Sequence, residues 1–238
     1  MPDFFSELAA KVLPPIIKVL PTIPREIYET LYATGLCTLF AYVIGLPLGV
    51  LLVVGERGGV RELPAPLMAV LNFIVNILRS VPFLILMIMA LPLSYLIFHT
   101  KIGTIASVIP LTIAAFPFVA RMVESAIREV DRGVIEAAQA MGCSPWQIIV
   151  KVMLPECKPA LISGAAIALT TILGYSAMAG AIGGGGLGKV AINYGYHRQQ
   201  PEVMYFAVIL LVILVQISQS VGTWLAVRCD KRITKKGK

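Results

Sequence analysis

Residues 136 to 155 read EAAQAMGCSPWQIIVKVMLP, the only long polar stretch lying between strongly apolar segments of this chain. Its punctuation predicts two short helices joined by a tight turn. Asp131 stands where an N-cap belongs for a helix beginning near Gly133, and Gly142 falls just past the end of that helix, where a left-handed residue closes the last turn. Ser144 is the next N-cap, with Pro145 in the first helical position. Gln147, three after the cap, completes a capping box for a second helix that Leu154 and Pro155 are expected to terminate. Each helix carries an apolar stripe: Val134, Ala138 and Met141 on the first, Trp146, Ile149, Val150 and Met153 on the second. Taken alone, such a hairpin is either an amphipathic element on a membrane surface or a docking element for a partner.

The flanking segments place this hairpin on an integral membrane protein. Of 238 residues, 58% are hydrophobic and only 14% charged, and the mean hydropathy is +0.84; a soluble domain carries far more charge. Charge-free runs cover residues 31 to 54, 80 to 98, 102 to 120, 159 to 188 and 203 to 227, each near or above the ~20 residues that a helix needs to cross the hydrocarbon. The expected fold is therefore all-α with five transmembrane helices. A sixth apolar run, residues 63 to 78, is shorter, contains Asn72 and Asn76, and reads as the cytoplasmic entry of one long second helix.

Lys and Arg are retained in cytoplasmic loops, so their distribution sets the topology. With five spans, residues 55 to 62, 121 to 158 and 228 to 238 share a side that holds 13 of the 20 basic residues, the opposite side holds 6, and Arg79 is left inside a span. The N-terminus is expected outside and the C-terminus inside, with the paired helices facing the cytoplasm. The net charge of +7 then reflects topology and anionic lipid, and no nucleic-acid partner is expected. The first 30 residues do not read as a secretory signal: Asp3 and Glu7 sit where a basic region belongs, and Pro14, Pro15, Pro21 and Pro24 are expected to break the segment. Phe4, Phe5, Leu8 and Val12 suit a short interfacial helix.

Several signals of chemistry fail on inspection. Residues 183 to 190, GGGGLGKV, follow the skeleton of a phosphate-binding loop and of a dinucleotide fingerprint, but Val190 stands where Ser or Thr would hold magnesium, and no strand precedes the glycines. They read instead as a tight outer turn or a site of close helix approach. Cys37, Cys143, Cys157 and Cys229 have no metal spacing and His99 and His197 are isolated, so no metal, cofactor or catalytic residue is expected. Prolines 47, 82, 92, 110 and 117 fall within spans, where each removes a backbone hydrogen bond and introduces a kink. Gly45 and Gly49 form a small-residue face suited to close helix contact. Arg79, costly in hydrocarbon, should face a cavity, a partner or the headgroups.

Glu136-Ala137-Ala138, then Gly142, then Leu154-Pro155 resemble the EAA-loop pattern of permease subunits of bacterial ABC importers. VIGLPLGVLL at 43 to 52, LRSVPFLIL at 78 to 86, PLTIAAFPFVARMVE at 110 to 124 and GYSAMAGAIGGGGLG at 174 to 188 resemble the methionine-importer permeases in particular. The resemblance covers roughly residues 28 to 228. Residues 28–228 read as a transmembrane permease domain with a coupling loop (131–155); the longer N-terminal segment (1–27) and the spacing near His99 depart from the family, and the charge distribution makes 1–27 an extracytoplasmic extension and 229–238 a basic cytoplasmic tail. The resemblance further implies a homodimer in the bacterial inner membrane, served by a separate cytoplasmic ATPase dimer and an extracytoplasmic binding protein that delivers methionine.

On this reading Glu136, Ala137, Ala138, Gly142 and Trp146 form the surface that couples to the ATPase, and the chain itself hydrolyses no ATP. The path is expected to be lined by Arg79, Ser80, Pro82, Tyr175, Ser176 and Met178, with the flexible thioether of Met178 as a gate. The alternatives are a permease for another small amino acid or sulfur compound, a secondary carrier, and a structural membrane scaffold, which would not need two capped cytoplasmic helices. The absence of intramembrane carboxylates and of an inverted repeat weighs against the carrier.

Overall fold

The computed structural model describes residues 12–229, and every regular element among them is helical. We number nine helices in chain order: α1 (Val12–Val54), α2 (Ala65–Ser80), α3 (Phe83–Phe98), α4 (Thr104–Arg128), α5 (Arg132–Ala140), α6 (145–156), α7 (Lys158–Ala179), α8 (187–197) and α9 (Pro201–Cys229). By length and composition α1, α4, α7 with its 3-10 extension to Ile182, and α9 are able to cross a membrane; α2 and α3 make up to a fifth span if that bent pair is counted as one.

Three expectations are corrected here. The prolines near the N-terminus do not fragment the chain, because α1 passes Pro21 in a 3-10 turn, Leu20–Thr22, and resumes α-helical bonding through Pro24. At 43 residues, α1 extends for about 64 Å at 1.5 Å per residue, well beyond a bilayer core. Of the proposed interfacial helix, Phe4, Phe5 and Leu8 lie outside the described residues. The second span is not one long helix: α2 ends at Ser80, and Val81 is extended (φ −75°, ψ 128°) before Pro82. A proline ring disfavours helical backbone in the residue before it. Pro47 and Pro92, in contrast, stay inside their helices.

The third correction concerns Leu154 and Pro155, which do not end the second short helix. Residues 148–153 widen into a π-helix, the Leu154 N–H donates to the Ile149 carbonyl five residues back, and the helix continues to Glu156 before Cys157 interrupts it. The wider turn gives Pro155 a place inside the helix without the usual clash against the preceding turn.

The chain divides into two compact units, and the division cuts through α1, α4, α7 and α9. Among the described residues, one comprises 12–37, Phe83–Leu111 and Thr171–Ile217. Its core gathers Val19, Ile23, Leu187, Val190, Val203 and Ala207. The Ser94 hydroxyl, fully buried, donates to the Ala106 carbonyl at 2.6 Å, which ties α3 to α4.

The other unit comprises Thr38–Pro82, Thr112–Thr170 and residues 218–229. Leu52, Met68 and Val75 pack α1 against α2. Gly45 and Gly49 permit α1 to lie directly on α4: a Cβ on Gly45 would stand 2.8 Å from Val119, and one on Gly49 would stand 2.5 Å from the Ala120 carbonyl. The small-residue face is thus occupied within the chain.

Candidate functional site

The paired helices form as their cap residues dictate. The Asp131 carboxylate accepts from the Gly133 N–H at 2.7 Å and starts α5. At the other end Gly142 adopts φ +77°. Its N–H donates to the Gln139 carbonyl at 2.9 Å, and the Cys143 N–H donates to the Ala138 carbonyl at 3.1 Å. That pair of bonds is the Schellman closure, which satisfies carbonyls a helix end otherwise leaves open. One residue later the capping box of Ser144 and Gln147 begins α6: the Gln147 N–H donates to the serine hydroxyl at 3.4 Å, and the Ser144 N–H donates to the glutamine side-chain oxygen at 2.8 Å.

With the backbone satisfied locally, the side chains divide into two sets. Ala138, Ile148 and Met153 are buried within the chain. Val134, Met141, Trp146 and Val150 face outward, Met141 at 76% and Trp146 at 72% exposure. Of the expected coupling residues, Glu136, Ala137, Gly142 and Trp146 are exposed. Ala138, expected on the same surface, is instead turned inward at 2% exposure, because it lies on the side of α5 that packs against its own chain.

Beside α5 lies a cleft of about 490 Å³ lined by Glu56, Arg57, Arg128, Arg132, Glu136 and Gln139, among others. The sequence reading missed the part played by Glu56 and Arg57, which belong to the loop after α1 and carry no signal beyond their charge. It also missed the tie between α2 and α4, where Arg121 donates to the side-chain oxygens of Asn72 at 2.9 Å and Asn76 at 2.8 Å. Two asparagines in an apolar run were the available signal.

The expected path residues are distributed over both units: Arg79, Ser80 and Pro82 in one, Tyr175, Ser176 and Met178 in the other. Arg79 is in the last turn of α2 and exposed, where a cation meets the negative end of the helix dipole. The Ser80 hydroxyl donates to the Asn76 carbonyl at 2.8 Å. Tyr175 stacks on Phe83, the first residue of α3, with centroids 4.2 Å apart and planes at 9°. Ser176 is buried and donates to the Leu173 carbonyl at 2.9 Å, whereas Met178 is 48% exposed. The structure therefore pairs Tyr175 with the start of α3, turns Ser176 inward and leaves Met178 outward.

The phosphate-loop lookalike is occupied by its own chain. The Gly186 N–H donates to the Glu26 carboxylate at 2.9 Å, the Leu187 N–H donates to the Thr30 hydroxyl at 2.9 Å, and Lys189 stands 4.0 Å from Glu26. Two of the backbone N–H groups that would cradle a phosphate are bonded to side chains of α1.

Comparison with known proteins places this geometry in a family. The family model described as "Binding-protein-dependent transport system inner membrane component" matches residues 45–235. A probable D-methionine transport system permease protein MetI of Vibrio cholerae is 49% identical over 205 residues, covering 86% of this chain and 91% of its own length. The D-methionine transport system permease protein MetI of Escherichia coli K12 is 48% identical over 156 residues, 66% of this chain and 71% of its own. A solved structure of the MetNI methionine ABC transporter in inward-facing conformations superposes with a TM-score of 0.87 at 44% identity, covering 92% of this chain and 99% of that one. An amino acid ABC transporter at 20% identity and a TM-score of 0.73 shares the fold. With its apolar spans and its cap-defined helix pair, the chain belongs to the family of binding-protein-dependent transport system inner membrane components.

Proposed function

We propose that this chain is the permease subunit of an ATP-driven methionine importer in the bacterial inner membrane. Two copies form the translocation path, a separate cytoplasmic ATPase dimer supplies the energy, and an extracytoplasmic binding protein delivers the substrate. The observation that carries this reading is the α5–α6 pair. Its backbone is internally satisfied while Trp146, Met141 and Val134 remain uncovered, as expected of a surface made for a protein partner. The MetI relatives and the MetNI structure support methionine as the substrate.

Glu136, Ala137, Gly142 and Trp146 form the contact surface, with Ala138 seating α5 on its own chain. Arg79, Ser80, Pro82, Tyr175, Ser176 and Met178 serve the path, Met178 as the gate and Ser176 from behind the lining. Residues 1–27 are an extracytoplasmic extension, 28–228 the permease domain and 229–238 a basic cytoplasmic tail; of these, 1–11 and 230–238 lie outside the described residues. The chain hydrolyses no ATP.

Reconstitution with its ATPase and binding protein, followed by competition among labelled amino acids, tests the whole reading. Concentrative methionine uptake should appear only with both partners and ATP. Uptake by the isolated chain on a proton or sodium gradient would establish a secondary carrier instead, and preference for another small amino acid or sulfur compound would move the substrate. Met178→Ala should alter basal ATP hydrolysis or transport; wild-type values for both would remove the gate assignment.

A further inference from the structure

Asn72 and Asn76 are four residues apart on one face of α2, and both offer their side-chain oxygens to one nitrogen of Arg121 in α4, at 2.9 and 2.8 Å. The amide of Asn72 is fixed for this purpose, since its nitrogen donates to the Met68 carbonyl at 3.0 Å. The other arm of the Arg121 guanidinium pairs with Glu124 at 2.6 Å. Glu124, only 9% exposed, also receives Arg128 at 2.9 Å, and Arg128 reaches on to Glu56 in the loop after α1. Two arginines face two carboxylates, and the buried Glu124 carboxylate is held by both guanidinium groups.

The position of this cluster matters as much as its strength. Arg128 is the last residue of α4, and the docking helix α5 begins at Arg132. On α2 the cluster lies one to two turns before Ser80, whose hydroxyl bonds to the Asn76 carbonyl at 2.8 Å, and the break at Val81 follows at once. The remaining contacts of α2 with α1, made by Leu52, Met68, Val75 and their neighbours, are apolar and non-directional. A planar guanidinium shared by two amides and a carboxylate fixes register.

We propose that Asn72 and Asn76 are positioning residues for energy coupling: gripped by Arg121, they make α2 follow α4 when the docking helices move, and so deliver that movement to the break at Pro82. The proposal rests on the importer reading. It assigns a role to two polar residues that belong to neither the expected partner surface nor the expected path, Asn76 meeting the path only through its backbone carbonyl at Ser80.

The test uses the full chain with its ATPase and binding protein in vesicles, and reads methionine imported per ATP hydrolysed. Asn72→Leu with Asn76→Leu should assemble with the ATPase and melt near the wild-type temperature, yet import per ATP should fall about tenfold, within the range of coupling between separated sites. Arg121→Lys keeps the charge beside Glu124 but loses the forked reach to two amides, and should show the same fall. Asn76→Asp added to Asn72→Leu offers Arg121 a carboxylate and should restore most of the ratio. An unchanged ratio in the double leucine variant beside a working wild type overturns the proposal alone. Uptake, hydrolysis and melting temperature falling together at a constant ratio would overturn it in favour of a purely structural role. A wild-type protein that imports nothing on ATP would overturn the importer reading as well.

Discussion

Two of the glycine-bearing turns among the described residues are closed in opposite ways. At residues 137 to 147 the glycine, the Schellman closure and the capping box satisfy the backbone of the turn from within the segment, and Met141 and Trp146 stay exposed. At residues 183 to 188 two backbone donors, the N–H groups of Gly186 and Leu187, are satisfied by side chains from a distant segment, Glu26 and Thr30 of α1, and Leu187 is fully buried. The first turn is a free-standing surface. The second is a joint. A glycine-rich sequence therefore marks neither a ligand site nor a docking site; what distinguishes them is where the backbone hydrogen bonds end.

The contrast predicts that damage to the joint appears as lost stability and damage to the surface as lost partnership. The largest effect is expected for Glu26→Ala. The Glu26 side chain is 12% exposed, and its removal leaves the Gly186 N–H without its charged acceptor, which should cost about 2–3 kcal/mol. Thermal unfolding in detergent should show a lower melting temperature, with ATPase assembly of the surviving folded protein unchanged. An unaltered melting temperature would show that the Glu26 bond does not hold this turn.

Trp146→Ala should do the reverse. The melting temperature should hold, and affinity for the ATPase should weaken by about 2 kcal/mol, roughly thirtyfold, as for an aromatic anchor in an interface. Titration of purified ATPase against the variant reads this directly, and wild-type affinity would move the docking surface elsewhere.

Gly142→Val probes the turn itself. Nothing lies within 4 Å of a Cβ at this position, so the penalty is the left-handed backbone alone, about 1–2 kcal/mol. Hydrolysis should be uncoupled from uptake while membrane insertion is retained. Gly142→Asn, which tolerates that backbone, should behave nearly as wild type. Equal uptake in the valine variant would show that the turn geometry is dispensable.

The smallest effect is chemical. In a Cys229→Ser background, Cys143 of the docking turn is half-buried and Cys157 is buried. Burial pushes the Cys157 thiol up to about 11 from 9.0, so near neutral pH about a hundredfold less of it is the reactive thiolate than for an unshifted thiol. Maleimide should therefore label Cys143 first, bound ATPase should slow that labelling, and Cys157 should gain reactivity only as the pH rises toward 11. Faster labelling of Cys157 at neutral pH would mean that the base of α6 is open.

The sequence by itself determined the spans and the caps, since both are local. An uninterrupted apolar run of bilayer length states its own environment, and Asp131, Gly142, Ser144 and Gln147 bond within five residues of themselves. The tertiary structure alone decided the pairings between distant segments. Gly45 and Gly49 signalled close contact but did not say that α4 would fill it. Asn72 and Asn76 looked like blemishes in an apolar run until Arg121, more than forty residues on, reached them. Proline ends the helix at Pro82, yet Pro47 and Pro92 stay inside theirs and a π-turn absorbs Pro155. Periodicity and capping report the few residues on either side of a position, whereas a side chain's partner from another helix is set by packing, which no local pattern encodes.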